Sequence, residues 1–592
     1  MPIEAVRGCA LAAVLALVAF VTLAGDARAG AGAVEVEVEA AACTPAPADA
    51  LGAACAPGRG VLTLALVDAA TGLPSPARVE VLDESGSSWI APGAIEVGGD
   101  CRGHASVPSD DQAAAAEPLT GSAPYVRNPQ RRTYQFYLES EAMLALPAGH
   151  YRVSAFKGLA YTPVVRQVTV EAGTATRLAL PLVRWIDMPA LGWFSADDHL
   201  HITRSSPEDD ARLARWMQAE DVNVANLLQM EIVPGVEAAP QDGFGLQRVF
   251  QDGDTIIASG QENPRTWILG HGIILGAASY IDFPDDPLTY RPYWEAAARD
   301  GALRGYAHWG TGAARDGLAI DAPAGNVEFL EVLQSDLANY DVLYQILGLG
   351  IRMTPTAGTD YPCALTNLPG RDRFYTRLDG PLTYARWLEG IRRGRTFVTN
   401  GPLLTEFRVD DAETGDTRTL EQPGPLLVRG TVRFDPARDD VLALELLRNG
   451  EVVQVARERT APGEIRLTTS LEADGGAWLA LRASGRKVDL PPFARPRTSS
   501  AHSGAIWVSV THGTAIADQD AAGRLAADEL ARLARLEARL ERDAKIGPPA
   551  WAGATRTEVA RALPALRAAI AAARTHFEAI TRRSRQDAGS SP

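Results

Sequence analysis

The chain has 592 residues, of which 46% are hydrophobic and 22% are charged, and its formal net charge is −16 at pH 7. This length exceeds what one hydrophobic core usually organises, and the composition is typical of soluble globular proteins, so we expect roughly two to four domains. The negative charge argues against nucleic acid or an anionic membrane surface as the main partner, because both repel an acidic protein.

The N-terminus has the pattern of a secretory signal over residues 1–29. Arg7 precedes an uncharged apolar run at 9–23, and a small-x-small sequence at 27–29 predicts cleavage before Gly30. An uncleaved anchor is the alternative, because the run is near the shortest length that spans a bilayer. The pattern predicts a secreted or periplasmic protein with no membrane partner after cleavage.

Four cysteines remain after the signal, namely Cys43, Cys55, Cys101 and Cys363. An even number in an oxidising compartment predicts disulfides. Cys43 with Cys55 closes a short loop and is the favoured pair, whereas the sequence does not establish a bond between Cys101 and Cys363. Cys363 follows Asp360 by three residues, so a soft metal ligand and a free thiol both stay open.

Residues 30–59 are rich in Ala, Pro and Gly and predict a flexible tether. From 60 to 186, short alternating runs such as 61–67 and 164–170 are separated by turns, which predicts an antiparallel β-sandwich. The phrases Asp68-Ala-Ala-Thr-Gly-Leu-Pro and Leu146-Pro-Ala-Gly-His-Tyr resemble the carboxypeptidase-regulatory type of module. Such modules are usually non-catalytic, so the resemblance implies structural or surface roles for His104 and His150.

Residues 187–404 alternate between predicted strands and helices. Buried strands are predicted at 222–228, 255–259 and 351–357, and a helix at 384–393 ends at Gly394. This alternation indicates parallel strands with helical crossovers, in either a barrel or an open sheet.

Side chains that bind zinc, manganese or iron lie at or just beyond the ends of these predicted strands. They are His199, His201, Glu262, His308 and Asp360. In an α/β barrel the carboxyl ends of the strands converge on one rim, so we expect these side chains to meet. His271 starts its predicted strand, and its loop must therefore fold back.

Seven short motifs of this region are specific: Ala196-Asp-Asp-His-Leu-His, Gly260-Gln-Glu, His271-Gly-Ile-Ile-Leu-Gly, Ala307-His-Trp, Glu331-Val-Leu, Ala357-Gly-Thr-Asp and Gly394-Arg-Thr-Phe-Val-Thr-Asn-Gly-Pro. They resemble the CehA/McbA type of metallohydrolase in the PHP (polymerase and histidinol phosphatase) superfamily. The resemblance extends over roughly residues 60 to 516, but only 190–402 carries the specific motifs.

The resemblance implies two divalent transition-metal ions, zinc, manganese or iron. The first would be held by His199, His201, Glu262 and Asp360, and Glu262 would bridge to a second held by His271 and His308. Asp197 is the expected partner that orients a ligand histidine, and with Glu262 it forms the expected catalytic pair. Arg204, Glu331 and Asn400 are candidates for substrate contact or for support of the ligands. Pro207 and Pro362 stand where ligands of a third ion would be expected, which argues against a third ion.

Residues 405–516 return to short strands with an Asn449-Gly450 hairpin turn and predict a second β-sandwich. Residues 517–592 predict a hairpin of two helices, 520–545 and 555–583, and a tail. The expected fold is multidomain α/β plus all-β, with a distorted (β/α) PHP-type barrel flanked by two β-sandwiches and a C-terminal helical hairpin.

The function expected from the resemblance is a secreted hydrolase that uses a dinuclear metal-bound hydroxide to cleave a small ester, amide or carbamate. A phosphoester hydrolase is the alternative, since the superfamily includes phosphatases. Arg204 is the only obvious anion contact in the sequence, and no dense Arg/Lys cluster marks a phosphate clamp. An alternative of another class is a non-catalytic secreted protein that binds an envelope polymer or a carbohydrate.

Overall fold

The computed structural model describes residues 38–42, 57–101, 121–128, 133–233, 236–308, 314–335, 337–364, 368–488, 498–511, 519–549 and 554–589. These residues form a mixed α/β structure, mostly strands in several sheets, with seven α-helices within the described ranges. Each of those helices is too short or too polar to span a membrane. The predicted signal at 1–29, His104 and the Cys43–Cys55 pair lie outside the described residues.

The first twelve strands build two facing sheets and a small two-stranded one. Their bounds are β1 Val38–Ala42, β2 Arg59–Asp68, β3 Ala77–Asp83, β4 Val97–Gly99, β5 Gly121–Ala123, β6 Val126–Asn128, β7 Thr133–Leu138, β8 Glu141–Pro147, β9 Gly149–Phe156, β10 Tyr161–Thr162, β11 Val164–Val170 and β12 Thr174–Arg184. The sheets run β1-β12-β2-β8, with β10 beside β12, and β11-β9-β3-β7-β6. Buried and exposed residues alternate along β8, as expected of a strand with one face on a core.

The expected flexible tether at 30–59 is wrong for part of its length. Val38–Ala42 forms β1 and pairs antiparallel with β12. The Ala- and Pro-rich composition suggested a linker, but β12 offers an unpaired edge to which a short run of Val and Ala can add. This edge pairing is a long-range contact that local composition does not encode.

The central part of the chain alternates strands and helices. Its strands are β13 Trp193–Leu200, β14 Val224–Val233, β15 Val236–Ala238, β16 Phe250–Asp252, β17 Thr255–Glu262, β18 Arg265–Thr266, β19 Gly270–Leu275, β20 Leu303–Tyr306, β21 Phe329–Gln334, β22 Leu337–Ala338, β23 Thr354–Ala357, β24 Arg373–Arg377 and β25 Thr396–Thr399. Its helices are α1 Asp209–Ala219, α2 Arg291–Arg299, α3 Ala314–Asp321, α4 Asp341–Gly348 and α5 Tyr384–Arg392, with short 3-10 turns at Pro189–Leu191 and Leu246–Arg248.

The longer central strands pair in the series β25-β24-β13-β14-β17-β19-β20-β21-β23. The two ends of the series meet, because the Thr396 hydroxyl on β25 donates to the Pro355 carbonyl on β23 at 2.8 Å. Every residue of β13, β17 and β19 is buried, as expected of strands that are covered on both faces.

The direction of β19 explains how His271 reaches the other candidate ligands. β13, β14 and β17 are parallel, but β19 runs antiparallel to β17, with Gln261 opposite Ile274. The start of β19 therefore lies beside the end of β17. His271 at a strand start and Glu262 at a strand end thus share one edge of the sheet, without any fold-back of a loop.

The remaining strands are β26 Leu403–Val409, β27 Ala412–Glu413, β28 Thr417–Leu420, β29 Gly424–Arg433, β30 Asp439–Arg448, β31 Glu451–Ala456, β32 Arg459–Ala461, β33 Glu464–Ala473, β34 Ala477–Lys487, β35 Thr498–Ser503 and β36 Ile506–Val510. One sheet runs β27-β26-β29-β33-β32, and the others extend the central sheet through the pairing of β25 with β35. Buried residues of these strands and of β2–β12 belong to one hydrophobic cluster, for example Leu64 with Leu446 and Ala501.

Two long helices, α6 Gln519–Ile546 and α7 Arg556–Gly589, lie close to the predicted helical positions. Leu533, Leu536 and Leu540 repeat at helical spacing along one face of α6 and are buried. They belong to the same hydrophobic cluster as Ile273 and Phe329 of the central strands. The hairpin therefore packs on the central sheet and shares its core.

Candidate metal centre

Three candidate ligands meet where β13 and β23 end. The Nε2 atoms of His199 and His201 are 3.1 Å apart, and Asp360 Oδ1 is 3.5 Å from the first and 3.2 Å from the second. All three side chains are buried, and together they form a group that can hold a metal ion. Asp360 follows β23 in a left-handed backbone conformation with φ 53°, which is uncommon outside glycine and concentrates at functional sites.

The other ring nitrogens of the two histidines face hydrogen-bond acceptors. His199 Nδ1 lies 3.0 Å from Glu331 Oε1, and His201 Nδ1 lies 3.0 Å from the Leu228 carbonyl oxygen. A proton on each Nδ1 satisfies these acceptors. The lone pair of each Nε2 then faces the group formed by His199, His201 and Asp360. This is how metal-binding histidines are usually oriented and made more basic.

The Glu262 carboxylate lies between two pairs of histidines. Its Oε2 is 3.4 Å from His201 Nε2 and 3.8 Å from His199 Nε2, whereas its Oε1 is 2.7 Å from His271 Nδ1 and 3.0 Å from His308 Nε2. His199, Glu262 and His308 form a second group that can hold a metal ion. The structure therefore brings together all six residues that the motifs singled out.

Two buried oxygens of this cluster indicate that its donors fit a cation. Within the described residues, Glu262 Oε2 and Asp360 Oδ1 make no hydrogen bond. A buried carboxylate oxygen without a hydrogen bond costs free energy, and a cation beside each of these atoms would offset that cost. Imidazole nitrogens and carboxylate oxygens together suit zinc, manganese or iron.

The pKa directions of Glu262 and His271 match the forms that bind metals, whereas the pKa values of His199 and His201 are raised. Burial alone would raise the pKa of Glu262, but the charge of the neighbouring Arg265 holds that pKa well below its ordinary value. Burial and the Arg265 charge lower the pKa of His271 far below its usual range. The carboxylate is thus ionised and the imidazole neutral, which are the forms that bind metals.

Glu331 connects the two halves of the centre. Its Oε1 faces His199 Nδ1, and its Oε2 accepts the backbone N–H of His308 at 2.5 Å. Burial opposes the imidazolium form of His199, yet the charges of Glu331 and Asp360 outweigh burial and raise its pKa. Glu331 therefore supports one ligand from each half, as befits its expected place beside the ligands.

Asp197 does not orient a histidine ring as expected. It accepts the backbone N–H of His199 at 3.2 Å, the N–H of Thr359 at 3.0 Å and the N–H of Gly370 at 2.8 Å. The Thr359 hydroxyl donates to it at 2.6 Å, and burial raises its pKa to about 6. Asp197 therefore fixes the backbone beside the candidate ligands His199 and Asp360. Glu331, and not Asp197, orients the His199 ring.

Arg204 and Asn400 have structural partners instead of the expected site roles. Arg204 is completely buried, and its Nε donates to Asp210 at 2.7 Å, so it is not presented to a substrate anion. The Asn400 side chain bonds Thr498 O and Ser500 N, and so joins β25 to β35. Proximity to His201 suggested the role of Arg204 and the family motif that of Asn400, but the directions of these side chains are set by tertiary contacts.

Cys363 is bonded to Cys101, which excludes it as a metal ligand. The disulfide links the loop after Asp360 to the segment after β4 of the first sandwich. In the same region the Asp100 N–H donates to the His201 carbonyl at 2.9 Å. The first sandwich is thus tied to both ligand-bearing segments of the first group.

Two further residues of the centre were not apparent in the sequence. Arg265 Nε lies 3.3 Å from Glu262 Oε2, in a side chain that is 8% exposed. A Cβ on Gly358 would lie 2.3 Å from His199 Cβ and 2.6 Å from Glu331 Oε1, so this position has room only for glycine. The available signals were position, since Arg265 follows Glu262 by three residues, and the motif Ala357-Gly-Thr-Asp, which contains Gly358.

Neither a protein-family model nor a curated protein nor a solved structure matches this chain.

Proposed function

We propose that the protein is a metal-dependent hydrolase with two divalent transition-metal ions that share Glu262. The single observation that carries the proposal is the division of the Glu262 oxygens, with Oε2 toward His199 and His201 and Oε1 toward His271 and His308. A hydrogen-bonded structural core would not need ionised carboxylate oxygens that make no hydrogen bond among four imidazoles. The same arrangement speaks against the alternative of a non-catalytic binding protein.

In this proposal, some of the residues would hold the ions and others would support those ligands. His199, His201 and Asp360 would hold one ion, His271 and His308 the other, and Glu262 would hold both. When bound, such ions polarise a carbonyl or phosphoryl oxygen and make water acidic enough to act as a nucleophile near neutral pH. Glu331, Asp197 and Arg265 would keep the ligands in place, through the contacts described above.

Access for a small substrate would be over His308 and Asp360. Their side chains are 11% and 9% exposed, whereas His199, His201 and Glu262 are fully buried. Near the centre, the described Arg204 and Arg265 both contact carboxylates, which supports an uncharged ester, amide or carbamate over a phosphoester. We further propose that the strand series β13–β25 is the distorted PHP-type barrel and that the N-terminal pattern exports the protein.

An assay of the purified protein against model substrates tests this proposal. We expect cleavage of aryl esters or aryl carbamates in the presence of Zn²⁺, Mn²⁺ or Fe²⁺, loss of activity with a chelator, and recovery when the metal is returned. His271→Ala should lower the rate by about 100-fold or more, because it removes a ligand. His150→Ala is the control, since this exposed side chain contacts only Thr169 in the bonds described for it.

The outcomes separate the alternatives. Cleavage of aryl phosphates alone would keep the metal centre and refute the acyl substrate class. Activity that survives both the chelator and His271→Ala would refute the metal mechanism.

A further inference from the structure

The turn between β18 and β19 places His271, and it is held by one bond of its own and by side chains from two other parts of the chain. Within it, the Leu269 N–H bonds the Thr266 hydroxyl at 3.2 Å. The Tyr290 hydroxyl donates to the Gly270 carbonyl at 2.5 Å. The third bond comes from the C-terminal hairpin, where Arg539 Nη2 donates to the Ile268 carbonyl at 3.0 Å. His271 therefore lies directly after a turn in which the Ile268 and Gly270 carbonyls accept hydrogen bonds from outside the sheet.

Arg539 also joins this turn to helix α3. The same Nη2 is 2.8 Å from Asp316 Oδ2, and burial raises the pKa of Asp316 against the opposing charges of Arg539 and Arg532. The planar guanidinium can satisfy a carbonyl and a carboxylate together with little loss of side-chain freedom. One side chain thus connects α6, α3 and the segment that precedes a candidate ligand.

The apolar packing around the turn differs between its α6 side and its α7 side, and this bears on the contact between Arg539 and the Ile268 carbonyl. Ile268 and Leu269 belong to the hydrophobic cluster that includes Leu536 of α6. On the side of α7, a cavity of about 490 Å³ is lined by Leu269, Tyr290 and Ala569. Apolar contact with α7 is therefore incomplete on this side, whereas Arg539 on α6 makes a direct polar contact with the turn.

We propose that Arg539 is a positioning residue for the metal centre and that the C-terminal hairpin thereby sets the place of His271 relative to Glu262. The inference rests on the proposed function. His271 Nδ1 is 2.7 Å from Glu262 Oε1, and ligand geometry tolerates displacements of only about 0.5 Å before metal binding weakens. Removing the Arg539 bond frees the Ile268 carbonyl and loosens the start of β19, while His199, His201 and Asp360 keep their own supports.

The test compares Arg539→Met with the matched variant Arg574→Met in the full-length protein. Arg574 pairs with Glu537 at 2.8 Å inside the hairpin and is 36% exposed, whereas Arg539 is 34% exposed. Each variant therefore loses one arginine–carboxylate contact of α6, but only Arg539 reaches the turn before His271. Metal stoichiometry is measured by equilibrium dialysis against Zn²⁺, and hydrogen exchange by mass spectrometry of peptides that cover 266–275.

We expect Arg539→Met to bind its second Zn²⁺ about 10- to 100-fold more weakly and to exchange faster at 266–275, whereas Arg574→Met matches the wild type in both. Arg539→Lys keeps the charge but loses the planar guanidinium, so its Zn²⁺ affinity and its exchange rate should lie between those of the two methionine variants. Equal exchange and equal Zn²⁺ affinity in Arg539→Met and the wild type would overturn the inference. A wild type that binds no Zn²⁺, and no Mn²⁺ or Fe²⁺ in the same dialysis, would instead refute the proposed function, and the exchange comparison would still test the positioning of the turn. If Arg539→Met fails to fold, Arg539→Lys supplies both measurements.

Discussion

Glu262→Gln is expected to lower hydrolysis by about 100-fold or more and to weaken the binding of both ions, with the fold almost unchanged. The carboxylate supplies one negative charge and two acceptor oxygens, and each oxygen faces a different pair of histidines. Glutamine has nearly the same shape but replaces one oxygen with an NH₂ group, which cannot face a cation. The measurement is the rate constant together with metal content and the circular dichroism spectrum.

The control for this substitution is Glu295→Gln. Glu295 lies on α2, where its 52%-exposed side chain pairs with Arg291, so its neutralisation should leave activity and metal content unchanged. If Glu262→Gln retains the wild-type rate and both ions, Glu262 is not a shared ligand and the two-ion assignment is wrong.

Gly358→Ala is expected to disrupt the candidate metal centre, although it removes no candidate ligand, because the added Cβ would clash with His199 and Glu331. The added Cβ would lie 2.3 Å from His199 Cβ, 2.6 Å from Glu331 Oε1 and 2.8 Å from Asp198 Oδ1. His199 and Glu331 must move apart to admit it, which breaks the bond that orients the His199 ring. We expect a loss of activity of about 100-fold or more and a loss of stability of about 1–3 kcal/mol from overpacking.

Gly424→Ala provides the matched glycine. Nothing lies within 4 Å of a Cβ at this position in β29, so the same chemical change should have little effect there. Thermal unfolding, metal content and rate are measured for both variants. Wild-type metal content in Gly358→Ala would contradict the close packing of His199, Glu331 and Gly358 described here.

The candidate ligands could be predicted from the sequence because they are of the types that bind metals and lie at the ends of buried strands. His199, His201, Glu262, His308 and Asp360 needed only the expectation that strand ends converge. His271 required a further fact, the antiparallel direction of β19, which the short connection from β17 indicates because parallel strands need a longer crossover.

The supporting residues were harder to predict, since most of their partners are distant in sequence. Arg204 bonds Asp210, Asn400 bonds β35, and Arg539 of α6 bonds the turn between β18 and β19. A charged or amide side chain pairs with whatever the tertiary fold brings near, and local patterns do not encode that neighbour. The same reason explains β1, whose strand conformation depends on the free edge of β12.

Metal analysis of the purified full-length protein tests the central claim most directly. Elemental analysis of the protein as isolated, and again after removal of metal and reconstitution with Zn²⁺, Mn²⁺ or Fe²⁺, should give close to two transition-metal ions per chain, as expected for two sites that share one carboxylate. Wild-type protein that is folded and yet holds no metal above background after reconstitution would contradict the metal centre and the proposed hydrolase with it.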